Sequence, residues 1–335
     1  MELTFLMTEP SIKFHRDILK IDPAAETQKV VAFVIDQAGR VLRRKGAVIG
    51  LSGGIDSAVM AALAVRALGK DKVLGLILPE KESNPLSQQY AQTHAQKLGI
   101  EYQVIDITPT VASVVSYRWR DEYIRRIVPE YQAACRYNIS LPSDLLERDS
   151  FNFYVLRVIF PDGRLEKKRL NLEQFRTITG FASIKIRARM IHLYAHAERR
   201  NRMVAGTTNL TEFILGDFCK YGDGGTDLEA LAHLYKNQVY QLADYLEVIP
   251  EIIEREPSPD TFSLPLNDQD FYFRIPFDKL DFLLYAWLHQ VPTTQVAQVL
   301  ELTEDAIQRA FKDFNSKNTA TRHLRELPRC LANPK

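Results

Sequence analysis

Only three cysteines occur in the chain, at 135, 219 and 330, too far apart for any metal-ligand spacing. Free thiols in a reducing compartment are the expectation, and the chain reads as cytoplasmic. Neither sign of charge dominates, with 43 Lys and Arg against 42 Asp and Glu. A net charge of +1 gives no electrostatic reason to expect nucleic-acid or membrane partners. No uninterrupted apolar run reaches membrane-spanning length. The first residues carry Glu2 and Glu9 and show no basic segment followed by a long apolar core, so neither a signal peptide nor an anchor is expected. Two familiar nucleotide loops are also missing. There is no G-x-x-x-x-G-K-[ST] and no G-x-G-x-x-G.

What stands in their place is residues 47–58, AVIGLSGGIDSA. An apolar strand runs into Ser52-Gly53-Gly54, then Asp56-Ser57, and a helix-forming stretch follows from Ala58. A tight glycine turn at a helix start presents free N–H groups and the positive end of the helix dipole, which suits a phosphate. Asp56 facing a polyphosphate makes sense if Mg2+ lies between them. The remaining choice is a generic glycine-rich βα turn, which explains the glycines but not the acid.

Along the chain, an amphipathic helix is expected over 14–45, strands at 47–51, 73–78 and 101–107, and helices at 57–68 and 86–98. Strand and helix alternating with short connections indicate a parallel sheet covered by helices, with ligands at the carboxyl ends of the strands. Residues 110–180 break this rhythm with a charged helix near 118–131 and a β-hairpin around Pro161-Asp162-Gly163. The basic arm Lys167-Lys168-Arg169 reads as a solvated edge. The α/β pattern resumes with a long helix from Ile184 and a strand at 203–205. Helices follow at 236–247, 278–289 and 293–314. The last of these also has a helix-turn-helix look. Its second half carries Glu304, Asp305 and Asp313 against Arg309 and Lys312, a poor partner for phosphate.

The S-G-G-x-D-S pattern resembles the pyrophosphate loop of the N-type ATP pyrophosphatases, which cut ATP between its α and β phosphates and adenylate a substrate. Within that superfamily several segments together resemble ammonia-dependent NAD synthetases: GLSGGIDS at 50–57, IKIRARMIHLYA at 184–195, GTTNLTE at 206–212, KYGDGGTD at 220–227, EPSPD at 256–260 and HLRELP at 323–328. The resemblance implies one adenine nucleotide alpha hydrolase-like domain over 1–335, helices on both faces of a parallel sheet, with 110–180 inserted as a helix and hairpin. It implies Mg2+- and ATP-dependent amidation of nicotinic acid adenine dinucleotide (deamido-NAD) through an acyl adenylate, with ammonia as nitrogen donor.

By position, Asp56, Ser57 and Lys236 match the catalytic residues of that family. Gly50, Leu51, Ser52, Gly53, Gly54, Ile55, Asp56, Ser57, Thr207, Lys236 and Ser258 match its ATP contacts. Asp56 and Glu212 match its Mg2+ carboxylates, and Arg187, Lys220, Asp227 and His323 its dinucleotide contacts. A homodimer is implied, because part of the family's substrate site comes from a neighbouring subunit. Leu324 departs from a family lysine. No glutaminase constellation is present, so ammonia arrives free or from a separate protein. Another adenylating enzyme of the superfamily, acting on a different carboxylate or carbonyl, is the alternative, followed by a helix-turn-helix DNA-binding protein.

Overall fold

The structure is a computed structural model and describes residues 13–114, 117–148, 153–259, 261–328 and 330–331. From the N-terminus, α1 (Pro23–Asp36), β1 (Ala47–Gly50), α2 (Ile55–Leu68), β2 (Val73–Ile77), α3 (Pro85–Leu98) and β3 (Glu101–Val104) alternate as expected. Then come α4 (Thr108–Val114), α5 (Tyr117–Ile127), β4 (Arg136–Ser140), β5 (Val155–Ile159) and β6 (Leu165–Arg169). The α/β rhythm returns with α6 (Leu172–Arg200), β7 (Met203–Gly206), α7 (Leu210–Leu215), β8 (Leu228–Glu229), α8 (Lys236–Tyr245) and α9 (Pro250–Ile253). Four helices complete the fold: α10 (Phe277–Leu288), α11 (Thr293–Leu300), α12 (Glu304–Ala320) and α13 (Arg322–Arg325).

The main sheet has the order β3-β2-β1-β7-β8, and every pairing in it is parallel. Alternate side chains of its central strands enter different cores, as the period of two requires. Ala47, Ile49, Val73 and Ile77 pack with α1, α2 and α8, whereas Val48, Leu74 and Leu76 pack with Ala188, Leu193 and Ala197 of α6. Helices therefore cover both faces, and the carboxyl ends of β1, β2 and β7 open on one side.

The N-terminal helix is shorter than the 14–45 span expected. The Asp22 carboxylate accepts from the N–H groups of Ala24 and Ala25, and Pro23 occupies the first helical position, so the helix starts there. Phe14 and Leu19 instead pack in the core of the C-terminal helices. By contrast α6 starts twelve residues before Ile184, because Asn171 and Gln174 form a capping box. Its 29 residues span about 43 Å, which lets one helix serve two layers. The second half lies on the main sheet, and Ile178 and Ala182 of the first half pack against the three-stranded sheet β4-β5-β6.

The hairpin around Pro161-Asp162-Gly163 is present as β5 and β6, antiparallel, with Gly163 at φ +87°. The first residues assigned to it, 151 and 152, lie outside the described residues. The expected basic edge is β6, where the Lys168 ammonium pairs with Glu166 at 2.9 Å. The apolar stretch 293–314 divides into α11 and α12 at Glu301, which adopts φ +55°. Ile307, Ala310 and Phe314 are buried in the C-terminal core, and Arg309 donates to the carbonyls of Leu145 and Leu146. That helix pair turns its apolar face into the C-terminal core, and its exposed face carries Glu304 and Asp305. Among the described residues no helix is long and apolar enough to cross a membrane.

Candidate active site

A cavity of about 510 Å³ opens at the carboxyl ends of β1, β2 and β7. Its floor is the turn after β1. Gly53 adopts φ +74°, and a Cβ there would lie 2.2 Å from the Ser87 carbonyl oxygen, so only glycine fits. Gly54 then caps α2 in an extended conformation. The Ser57 hydroxyl donates to the Gly54 carbonyl (2.9 Å) and accepts from the Ser52 N–H (3.3 Å), and the Ser52 hydroxyl accepts from the Gly54 N–H (3.2 Å). Ser57 is buried and tied up within the turn. Its visible contribution is to hold the turn shut around the helix start. Gly50, Leu51, Ser52, Gly54, Ile55, Asp56 and Ser57 all line the cavity.

The second wall is the turn after β7. Thr207 lines it, and Thr208 donates its N–H to Glu229 at 3.0 Å. Asn209 then starts α7 with a capping box: its side-chain oxygen accepts from the Glu212 N–H (3.0 Å), and the Glu212 carboxylate accepts from the Asn209 N–H (3.2 Å). The Asn209 amide also donates to Asp56 Oδ1 at 3.0 Å, fastening the two turns together. Asn209 is fully buried. It was not among the residues singled out in the sequence, although Asn-x-x-Glu before an apolar run is the signal that marks it.

Lys236, the first residue of α8, completes the group. Its ammonium lies 2.5 Å from Asp56 Oδ2 and 3.6 Å from Glu212 Oε1, and the side chain is 8% exposed. Asp281 fixes the start of this helix: it accepts from the Thr211 hydroxyl and the Asn237 N–H, each at 2.6 Å. Burial works against the Lys236 charge, but Asp56 and Glu212 outweigh it and hold the ammonium above its ordinary pKa. Burial, then the Asp56 charge, pushes Glu212 well above the carboxylate range. Burial, backed by the charges of Asp268 and Asp223, raises Asp217 to about 8. Burial also raises Asp268 to about 6 against the pull of Lys236. This end of the cavity therefore gathers more acids than Lys236 alone can balance.

Two arginines missed in the sequence reading reach the cavity. Arg255 donates to the Ser87 hydroxyl (2.9 Å) and the Gly53 carbonyl (3.4 Å), bridging the floor to α3. Arg189 lines the wall and donates to the Leu78 carbonyl at 3.1 Å. Ser258 lines the cavity rim and is exposed.

The four positions matched to a dinucleotide lie elsewhere. Arg187 is exposed on α6 and donates twice to the Lys220 carbonyl, at 3.2 and 3.3 Å. Lys220 donates to the carbonyls of His323 (2.6 Å) and Glu326 (2.8 Å) and lines a neighbouring cavity of about 150 Å³ with Leu324. Asp227 accepts from the Val204 N–H (2.8 Å) and the Tyr194 hydroxyl (3.2 Å). None of the four lines the large cavity. Arg325, next to Leu324, is engaged in donating to the carbonyls of Phe213 and Asn318.

A parallel sheet wrapped on both faces, with an S-G-G-x-D-S turn meeting a second acidic turn at the strand ends, defines a nucleotide-binding protein of the adenine nucleotide alpha hydrolase-like fold. The family model for NAD synthase matches residues 26–142 and 165–328. The chain belongs to the NAD synthase family. It is 40% identical over 311 residues to the NH3-dependent NAD+ synthetase of Mesorhizobium japonicum, covering 93% of this chain and 97% of that protein. Among solved structures it resembles NMN synthetase from Francisella tularensis, with a TM-score of 0.64, 25% identity and coverage of 93% and 99%. The NH3-dependent NAD synthetase from Campylobacter jejuni has the same fold, with a TM-score of 0.59, 23% identity and coverage of 93% and 100%.

Proposed function

We propose that the chain is an ammonia-dependent NAD synthetase, a carbon–nitrogen ligase. It transfers AMP from ATP to the carboxylate of deamido-NAD, releasing pyrophosphate, and ammonia then displaces AMP to leave the amide. A carboxylate does not yield to ammonia directly, because oxide is too poor a leaving group; adenylation supplies a good one. The observation that carries this reading is the meeting of Asp56, Glu212 and Lys236 over the Ser52–Ser57 turn. The N–H groups of the α2 start hold the pyrophosphate end of ATP. Lys236 leaves Asp56 to meet a phosphate as a compact point charge. Thr207 and Ser258 line the same cavity and contact the nucleotide from either side.

Mg2+ fits the donor set. A polyphosphate cannot approach Asp56 and Glu212 unless a cation lies between, and a hard carboxylate pair with phosphate oxygens is what Mg2+ takes. Asp56 and Glu212 would hold it, and when bound it neutralises charge developing on the transferred phosphate.

We further propose a homodimer. A cavity of about 510 Å³ is of a size that encloses one drug-sized ligand, too small to enclose two nucleotides, so part of the dinucleotide projects from it. Arg187 donates to the carbonyl of Lys220, the residue before exposed Tyr221 (61%), and Ile191 one turn along α6 is exposed too (59%), which leaves apolar side chains near the matched positions for a second copy to cover. The chain acts as a single domain with 110–180 as an insertion in it, supported by the packing of the small sheet on α6. Ammonia comes free or from a separate protein, and three free thiols suit a cytoplasmic setting.

Purified protein with ATP, Mg2+, ammonia and deamido-NAD is expected to yield NAD, AMP and pyrophosphate in equal amounts. AMP formed only with another carboxylate refutes the substrate. One specific observation favours testing nicotinate mononucleotide beside deamido-NAD: the positions matched to a dinucleotide all fall outside the cavity, so a smaller carboxylate also fits it.

A further inference from the structure

The family match passes over residues 143–164, yet this stretch reaches the active-site cavity. Tyr154, immediately before β5, lies with its ring 3.8 Å from that of Phe175, at an interplanar angle of 15°, and both line the cavity. The position of Tyr154 is set by the small sheet. Its carbonyl accepts from the Leu170 N–H at 2.8 Å, one step beyond the Val155–Arg169 pair that ends the β5–β6 ladder. Phe175 sits in the first turns of α6, with its N–H bonded to the capping Asn171 at 3.0 Å. Behind the pair, Leu156, Val158 and Ile178 form the core that joins the sheet to α6. A stacked aromatic pair is thus held at the wall of the cavity, with Phe271 and Tyr272 on the same lining.

Within the amidation reading above, we propose that Tyr154 and Phe175 form a binding surface for a flat nitrogen heteroaromatic ring, with Tyr154 supplied by a segment that the family match does not include. Both reactants carry such a ring: the adenine of ATP and the pyridine of the acyl acceptor. Ring-on-ring contact uses the π face and tolerates either heterocycle. The Tyr154 hydroxyl is not required for it.

The test is equilibrium binding, by calorimetry on the full chain with Mg2+, of α,β-methylene ATP and separately of deamido-NAD. Tyr154→Ala is expected to weaken one of them about tenfold, the loss typical of removing a base-stacking ring, while Tyr154→Phe binds as wild type does. Weakened binding of the ATP analogue assigns adenine to the surface. Weakened deamido-NAD binding with the ATP analogue unaffected assigns the acceptor. If Tyr154→Ala does not fold, Phe175→Leu, which keeps apolar volume without a flat face, is expected to weaken binding where Tyr154→Phe does not. Normal binding by folded Tyr154→Ala, or equal losses in Tyr154→Ala and Tyr154→Phe, overturns the aromatic surface alone. Wild-type protein that binds neither nucleotide overturns the functional reading with it.

Discussion

Replacing Lys236 by methionine removes one charge from a nearly closed site and leaves its shape. In the wild-type chain the ammonium lies 2.5 Å from Asp56 and 3.6 Å from Glu212, with 8% of the lysine side chain exposed. Taking away one member of a buried ion pair costs about 3–5 kcal/mol, because the partner charge is left without compensation. Unfolding a chain of 335 residues carries an entropy of about 0.7 kcal/mol/K, so about 4 kcal/mol lowers the melting temperature by about 6 °C.

The loss depends on pH in a defined direction. Glu212 already sits well above the usual 4.5, so the folded chain binds its proton more tightly than the unfolded chain does. The stability this adds is present below about pH 4.5 and is lost as pH rises through the folded value. Removing Lys236 raises that folded value further, since the lysine charge, together with the Asn209 N–H, pulls it down. Lys236→Met is therefore expected to be more destabilised at pH 8 than at pH 5. Added Mg2+ should recover part of the loss, because the bare Asp56–Glu212 pair then binds a cation more tightly. Asp56→Asn/Lys236→Met should melt above Lys236→Met, having one buried charge fewer. Scanning calorimetry of the variants with and without Mg2+ reads all of this. A melting point within 1 °C of wild type, indifferent to pH and Mg2+, refutes the compensating role of the ammonium.

Asp56→Asn is expected to abolish AMP and pyrophosphate release with the far-ultraviolet circular dichroism unchanged; near-normal turnover would remove Asp56 from the metal site. Gly53→Ala should raise the KM for ATP at least tenfold and lower the melting temperature, since its Cβ meets a backbone oxygen at 2.2 Å and φ is +74°. Gly180→Ala is a control of opposite sign. It lies inside α6 with nothing within 4 Å of the added Cβ, so melting should rise by about 1 °C with activity unchanged. Burial raises Glu229 to about 7, so its contribution to stability is present below about pH 4.5 and lost through pH 7. Glu229→Gln should therefore gain melting temperature relative to wild type on going from pH 5 to pH 8, and a constant difference argues against a raised proton affinity.

What could be read from the sequence follows from how local the cause is. The Ser52–Ser57 turn is specified by six neighbouring residues, and the apolar runs around it fix strand and helix, so both the fold class and the cavity floor were legible. The apolar runs of β1 and β2, buried on both faces, are likewise written in consecutive residues. The contacts that make the floor a site are not local. Asp56 meets Lys236 across 180 positions and Asn209 across 153, and no periodicity encodes such distances. Lys236 was reached by resemblance alone, and Asn209 and Asp281 were passed over because buried polar partners look like ordinary helix caps. The same reason explains the boundaries. Asp22 and Pro23 start α1 where the apolar pattern runs on, and Asn171 starts α6 directly after the hairpin, twelve residues before the helix expected from Ile184. Twelve extra residues on α6 are what carry Phe175 to the cavity wall, so a boundary set by one asparagine decides which side chains line the cavity.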